Sequence, residues 1–191
     1  IYGAVPDVFV NADGYKKSIS SPGPGNYITL AKAVAAARSL LGEDAVRTRS
    51  FIQAHGSSTP QNRVTESRIF DEVAKAFDIR NWPVTAIKAF VGHSLAPASA
   101  DQLINTLGVF RHGILPGIKT THAIAADVHR ERLDIVLKDR DLSEHCDVAF
   151  LNSKGFGGNN ATGAILSPAV AQRMLAKRHG TQAINAWLGR L

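Results

Sequence analysis

The sequence predicts a layered α/β fold in which buried strands are covered on both faces by helices. Three observations carry this reading. A short apolar strand pattern, a polar loop and a helical pattern follow one another twice, beginning at Phe51 and again at Pro83. Two further short strands, Val148–Asn152 and Ala161–Leu166, flank a glycine-rich segment. The 191 residues, 45% hydrophobic and 20% charged, have the make-up of one globular domain or of half of a larger one.

Ile1 to Val10 is apolar and β-branched with Pro6 inside, which reads as an edge strand or a strand with a break. Ser20, Ser21, Pro22, Gly23, Pro24 and Gly25 make a loop, and after Asn26 an alanine-rich run from Tyr27 to Leu41 stops at Gly42 as helices do. The strand Phe51–Ala54 leads into His55-Gly56-Ser57-Ser58-Thr59-Pro60, where a hydroxyl residue before proline supplies an N-cap and a first turn. Ile69, Val73 and Phe77 recur at four-residue spacing as the buried stripe of that helix. Pro83 to Val91 reads as a strand, and Gly92-His93-Ser94 delivers the chain into a helix from about Leu95 to His112. Ser153 to Asn159 reads as the loop between the last two strands, and Pro168 to Leu191 as a basic helical tail interrupted by Gly180.

Lysine and arginine number 22 against 16 acidic residues, a net charge of +6 that favours acidic partners. Arg173, Lys177 and Arg178 concentrate charge in the tail, but no nucleic-acid recognition motif accompanies them. Arg38, Lys75 and Lys88 interrupt the most apolar stretches, so no membrane span is expected. The single cysteine, Cys146, excludes an internal disulfide and a multi-cysteine zinc cluster and fits a reducing, cytoplasmic setting. Met174 is the only methionine, so Ile1 is not expected to be an initiation site and the chain is expected to be a piece of a longer one, without a signal peptide. A metal site built from His55, His93 and His122 would lack paired ligands at close spacing, and none is expected.

His55 and His93 both stand where a strand ends and a helix is about to begin. In an open α/β sheet such junctions form the ligand crevice, so both imidazoles are expected in one site. The positive ends of the helices would oppose their protonation, leaving neutral rings that donate hydrogen bonds to a developing oxyanion. Lys88 either is buried and paired, with Glu66 as the candidate carboxylate, or faces solvent from its strand. The glycine loop lacks the lysine-serine/threonine ending of a phosphate-binding loop. Its glycines instead allow the rotation that a mobile loop carrying Phe156 would need.

His55-Gly56-Ser57-Ser58-Thr59-Pro60 with Glu66, Lys88 ahead of Gly92-His93, and Asn152-Ser153-Lys154-Gly155-Phe156-Gly157-Gly158-Asn159-Asn160 together resemble the C-terminal half of β-ketoacyl-acyl carrier protein synthases, the condensing enzymes of the thiolase-like superfamily. The resemblance runs over residues 1–166 and leaves 167–191 outside it. It implies the C-terminal half of a layered α/β/α/β/α fold and a decarboxylating Claisen condensation, in fatty acid or polyketide synthesis, between malonyl-carrier protein and an acyl thioester. The nucleophilic cysteine would belong to the N-terminal half. Cys146 lacks that residue's glycine-rich elbow and reads as an ordinary thiol.

The resemblance further implies that His55, His93 and Lys88 are catalytic, with Glu66 behind them, and that Ser57 and Thr59 hydrogen-bond the phosphopantetheine arm. Phe156, amid Gly155, Gly157 and Gly158, would gate the acyl entrance. No cofactor is implied beyond the phosphopantetheine that arrives on the carrier protein. The implied partners are acyl carrier protein, the N-terminal half and a second copy in a homodimer, with neither nucleic acid nor membrane. The sequence departs from the pattern at Arg63, Pro97, Ser99 and Asn159, and at Lys154, where the family usually has an aromatic residue. Arg63 and Lys154 read as a basic rim for an acidic carrier protein or as ordinary solvated cations, and Arg63 could instead pair with Glu66. The other functional reading is a non-catalytic partner subunit of the chain-length-factor type.

Overall fold

The computed structural model describes residues 1–14, 23–142 and 146–190, so the predicted loop positions Ser20, Ser21 and Pro22 lie outside the described residues. In chain order the elements are β1 (Ala4–Ala12), α1 (Pro24–Leu41), α2 (Glu43–Thr48), β2 (Ser50–Gln53), α3 (Pro60–Ala76), β3 (Trp82–Thr85), α4 (Lys88–Val91), α5 (Ala98–His112), β4 (Ile114–Leu115), β5 (Leu133–Ile135), β6 (Arg140–Asp141), β7 (Val148–Gly155), a 3₁₀ turn (Phe156–Gly158), β8 (Asn159–Leu166), α6 (Pro168–His179) and α7 (Thr181–Leu188). Six strands form one sheet in the order β1-β8-β7-β2-β3-β5, and β4 pairs with β6 apart from it. β7, β2, β3 and β5 are parallel, and β8 is antiparallel to both β7 and β1. Every strand of the sheet except β8 therefore points the same way, and the carboxyl ends of β2, β3 and β7 open on one side.

Strand residues alternate between two cores, as a sheet covered on both faces requires. Ile52, Phe150 and Ala164 join Leu30, Val34 and Ala37 of α1 and Ile69, Phe70 and Val73 of α3 in the larger core. Phe51, Ala149, Leu151 and Ile165 point the other way, towards Val109 of α5. This is the helix, sheet, helix layering that the sequence predicts. Pro6 sits where the register of β1 against β8 slips, between Ala4 and Asp7, because proline cannot donate to the ladder. Thr59 caps α3 by accepting from the Asn62 N–H at 3.3 Å, with Pro60 in the first turn. α6 buries Val170 and Ala171 on the body of the fold, whereas α7 buries none of its residues.

The structure corrects three boundaries. α1 begins at Pro24, ahead of the expected Tyr27, since a proline in the first turn forfeits no hydrogen bond. The strand expected over Pro83–Val91 ends at Thr85, and Lys88–Val91 is a single helical turn whose N–H groups donate back to Ala86 and Ile87. A short apolar run satisfies both patterns, so periodicity could not separate them. The loop expected over Ser153–Asn159 is mostly strand: only Phe156–Gly158 turns, with Gly157 and Gly158 at φ of 79° and 80°, where a side chain would be strained.

Val8 and Val10 of β1, Phe90 and Val91 of α4, Leu95, and Ile104 of α5 are exposed. Among the described residues no helix is long and apolar enough to cross a membrane. At the sheet centre the Trp82 and Phe150 rings meet edge to face, 5.7 Å apart, and the Trp82 Nε1–H donates to Ser50 Oγ at 2.8 Å. Phe150→Ala is expected to lower stability by about 3–5 kcal/mol, read as the urea midpoint by Trp82 fluorescence. A loss under about 1 kcal/mol would mean that this contact is not central to the core.

Candidate active site

The carboxyl end of β2 delivers Ala54 and His55 to the open side of the sheet, and Gly56 then turns the chain at φ 54°. A Cβ at Gly56 would lie 2.6 Å from the Ala86 Cβ, so the loops after β2 and β3 can pack together only with glycine here. The turn is pinned from below by Glu66, buried on α3. One Glu66 oxygen accepts from the His55 N–H at 2.7 Å and the Asn152 Nδ2 at 2.8 Å; the other accepts from the Gly56 N–H at 2.9 Å and the Asn62 Nδ2 at 3.0 Å. Asn152 in turn accepts from Asn26 Nδ2 of α1 at 2.7 Å and from Thr162 Oγ1 of β8 at 3.2 Å. Gln102 of α5, fully buried, puts its Nε2 within 3.2 Å of the carbonyls of Gln53, Ala54 and Asn152, fastening the end of β2 to the middle of β7.

Above this scaffold the His55 and His93 rings meet edge to face with centroids 5.2 Å apart. His55 Nδ1 accepts from the Lys154 backbone N–H at 3.3 Å, and His93 Nδ1 accepts from the Leu95 N–H at 3.1 Å. Each ring therefore carries its proton on Nε2 when neutral. His55 Nε2 is buried and has no hydrogen-bond partner among the described residues. Burial pushes the His55 imidazole down from 6.5 to about 4, with Lys88, His93 and Lys154 lowering it further and Glu66 opposing them. His93 is lowered too, by burial and then by Lys88. The neutrality expected from helix ends thus comes chiefly from burial. A cavity of about 240 Å³ lies against both rings, bounded also by Val10, Leu95, Ser99, Ser153, Gly155 and Asn160.

Lys88 sits on α4 and not on a strand, and its ammonium is buried without a hydrogen-bond partner among the described residues. The expected Lys88–Glu66 pair is not formed, because backbone and asparagine N–H groups already fill both carboxylate oxygens. Glu66 acts on Lys88 only through its field: burial lowers the Lys88 pKa, and Glu66 and Asp101 oppose that shift. Lys154 is only 8% exposed and donates from Nζ to Asn62 Oδ1 at 3.2 Å, which overturns its reading as a rim cation. Arg63 is bound through two nitrogens to Asp127, at 2.9 and 2.8 Å, and not to Glu66.

The structure brings His55, His93 and Gly155 to one cavity, with Glu66 directly beneath. Phe156 lies 77% exposed on its turn and, with Gly157 and Gly158, outside the residues that bound that cavity. Thr59 Oγ1 caps α3 and lies 3.5 Å from Ser57 Oγ. Burial pushes the Cys146 thiol up to about 12, so it stays protonated and is no nucleophile. Asn26, Asn62, Gln102 and the structural part of Asn152 escaped the sequence reading. Only the last stood within a motif; a buried amide has no signal until its partners are in place.

The model for the beta-ketoacyl synthase C-terminal domain matches residues 2–122. Over 188 residues the chain is 63% identical to beta-ketoacyl-acyl-carrier-protein synthase FabY of Pseudomonas aeruginosa, which covers 98% of this chain and 30% of that protein. It is 36% identical over 115 residues to 3-oxoacyl-acyl-carrier-protein synthase 1 of Escherichia coli, covering 59% of this chain and 26% of that protein. The crystal structure of the ketosynthase FabY from P. aeruginosa matches with a TM-score of 0.95 at 63% identity, over 99% of this chain and 30% of that one. The chain spans less than a third of the length of these relatives, and the alignment with FabY, at 188 of 191 residues, takes in the helical tail.

Glu66→Gln keeps the shape of the side chain but turns an N–H group towards donors that now meet a carboxylate oxygen. The variant is expected to lose about 1–3 kcal/mol in denaturant unfolding and to exchange the His55 and Gly56 amide protons faster. Unchanged stability and exchange would show that the carboxylate does not pin this turn.

Proposed function

The chain belongs to the beta-ketoacyl synthase family, and from that premise we propose that it supplies the C-terminal part of a β-ketoacyl-acyl carrier protein synthase in which His55 and His93 share one oxyanion. The observation that carries this reading is the pair of imidazoles whose Nδ1 atoms are both taken by backbone N–H groups, which leaves two Nε2–H donors beside one cavity. In the proposed reaction an acyl group waits as a thioester on a cysteine elsewhere in the polypeptide, since the half-buried Cys146 has its thiol pushed up to about 12. A malonyl thioester on acyl carrier protein then breaks its bond to the carboxylate carbon. Carbon dioxide leaves, and the electron pair passes into an enolate whose oxygen accepts from both Nε2–H groups. The enolate carbon attacks the acyl carbonyl, the new carbon–carbon bond forms, and the cysteine leaves as its thiolate. Each imidazole donor is asked for about 2.7–4 kcal/mol of transition-state stabilisation.

Neutral rings suit this task because a donor that is already charged would hold the starting carboxylate as well as the enolate. The exposed apolar residues on β1, α4 and α5 fit a surface that the rest of the polypeptide covers. With the reading go the cytoplasmic location and the homodimer that the family resemblance implies. Docking of the acidic carrier protein must fall to groups other than Lys154, which is buried.

In the full-length enzyme, His55→Ala and His93→Ala are each expected to slow malonyl-carrier protein decarboxylation by about 10²–10³-fold while leaving the acyl-cysteine able to form. Because the folded-state His55 pKa lies near 4 and that of His93 also lies below 6.5, activity should persist as pH falls through 6.5 and fail only lower. Decarboxylation within about threefold of wild type in either variant, or an acid limb at or above 6.5, would overturn the assignment.

A further inference from the structure

We propose that Lys154 is a positioning residue for His55, holding the imidazole from its backbone N–H and, through its ammonium and Asn62, steadying the carboxylate that holds the His55 backbone. The inference deepens the function proposed above and rests on it. The geometry is a closed ring. The Lys154 N–H donates to His55 Nδ1 at 3.3 Å, and its Nζ donates to Asn62 Oδ1 at 3.2 Å. Asn62 Nδ2 donates to Glu66 at 3.0 Å, and Glu66 accepts from the His55 N–H at 2.7 Å. One residue thus fixes the ring of His55 at one end and the support of its backbone at the other.

Burial makes the arrangement consequential. Lys154 is 8% exposed and Glu66 4%, so neither charge is well screened by water. Side chains on β7 alternate, and Lys154 shares a face with Val148 and Phe150, on the side of α1 and α3 where Asn62 and Glu66 lie. The charged and titratable groups that face His55 are Glu66 from α3, Lys88 from α4, His93 from the loop after it, and Lys154 from β7. Two lysines on different elements therefore oppose the imidazolium of His55 while one carboxylate favours it. His93 answers to burial and Lys88, and Lys154 is not among its influences. That difference allows Lys154 to be tested on one histidine with the other as an internal control.

The experiment follows both imidazoles by nitrogen NMR in full-length enzyme labelled at histidine, with His55→Gln and His93→Gln to assign the signals, in wild type and in Lys154→Met, Lys154→Gln and Lys154→Arg. The Met and Gln variants keep the backbone N–H but lose the charge, and Gln also keeps a donor for Asn62. Both are expected to raise the His55 midpoint with the Nε2–H form retained and by more than the His93 midpoint moves, while Arg restores the wild-type value. If His55 titrates in the folded Met or Gln variant as it does in wild type, Lys154 is only a packing residue and the proposal fails. Equal movement of His93 would also sink it, since the effect would then be general. The titration does not depend on turnover: a shifted His55 in an enzyme without condensing activity would overturn the proposed function and leave the role of Lys154 standing.

Discussion

A carboxylate buried away from water must be met by donors on every side, and the site of this protein is arranged around one such group. Glu66 accepts from two backbone N–H groups of the turn after β2, from Asn62 one helical turn before it on α3, and from Asn152 on β7. An ion left with an open lone pair there would cost several kcal/mol, so the turn, the helix and the strand are bound to one geometry. Asn152 passes the constraint on to Asn26 of α1 and Thr162 of β8, and Gln102 of α5 donates to its backbone carbonyl. The backbone of His55 is thereby placed by a network that lies outside the cavity its ring faces.

The electrostatics follow from that packing. An imidazole sunk beside two lysines and a second imidazole holds a proton poorly, and burial is the largest cause. Lys88 and Lys154 reach the site from different elements, and both disfavour a positive charge on His55 while Glu66 favours it. The same physics acts in the opposite sense on Cys146, whose thiol burial and the neighbouring Asp147 push up to about 12. The histidines can thus serve as neutral donors, and the one cysteine of the chain cannot serve as a thiolate.

The parts of this arrangement that rest on local pattern were legible in the sequence. Thr59-Pro60 announced the start of α3, the short strands read over Val148–Asn152 and Ala161–Leu166 fall within β7 and β8, and the two histidine junctions pointed to one crevice. What failed was of two kinds. Ala86 to Val91 is apolar but for Lys88, a pattern that a strand and a helical turn satisfy equally, so Lys88 was placed on the wrong element. The polar core was invisible for a deeper reason: Asn26 and Asn152 lie 126 positions apart, and neither amide has meaning before the sheet brings α1 to β7. Lys154 misled because lysine is rarely buried, and its motif gave no sign of Asn62 waiting beneath it.

The proposed mechanism has His55 and His93 present two Nε2–H donors to one oxygen. Its most direct test is a crystal structure of the full-length enzyme with a non-hydrolysable malonyl thioester analogue. The thioester oxygen is expected within about 3 Å of both Nε2 atoms, with each Nδ1 still held by its backbone N–H. An oxygen held by one imidazole alone, or by neither, would contradict it.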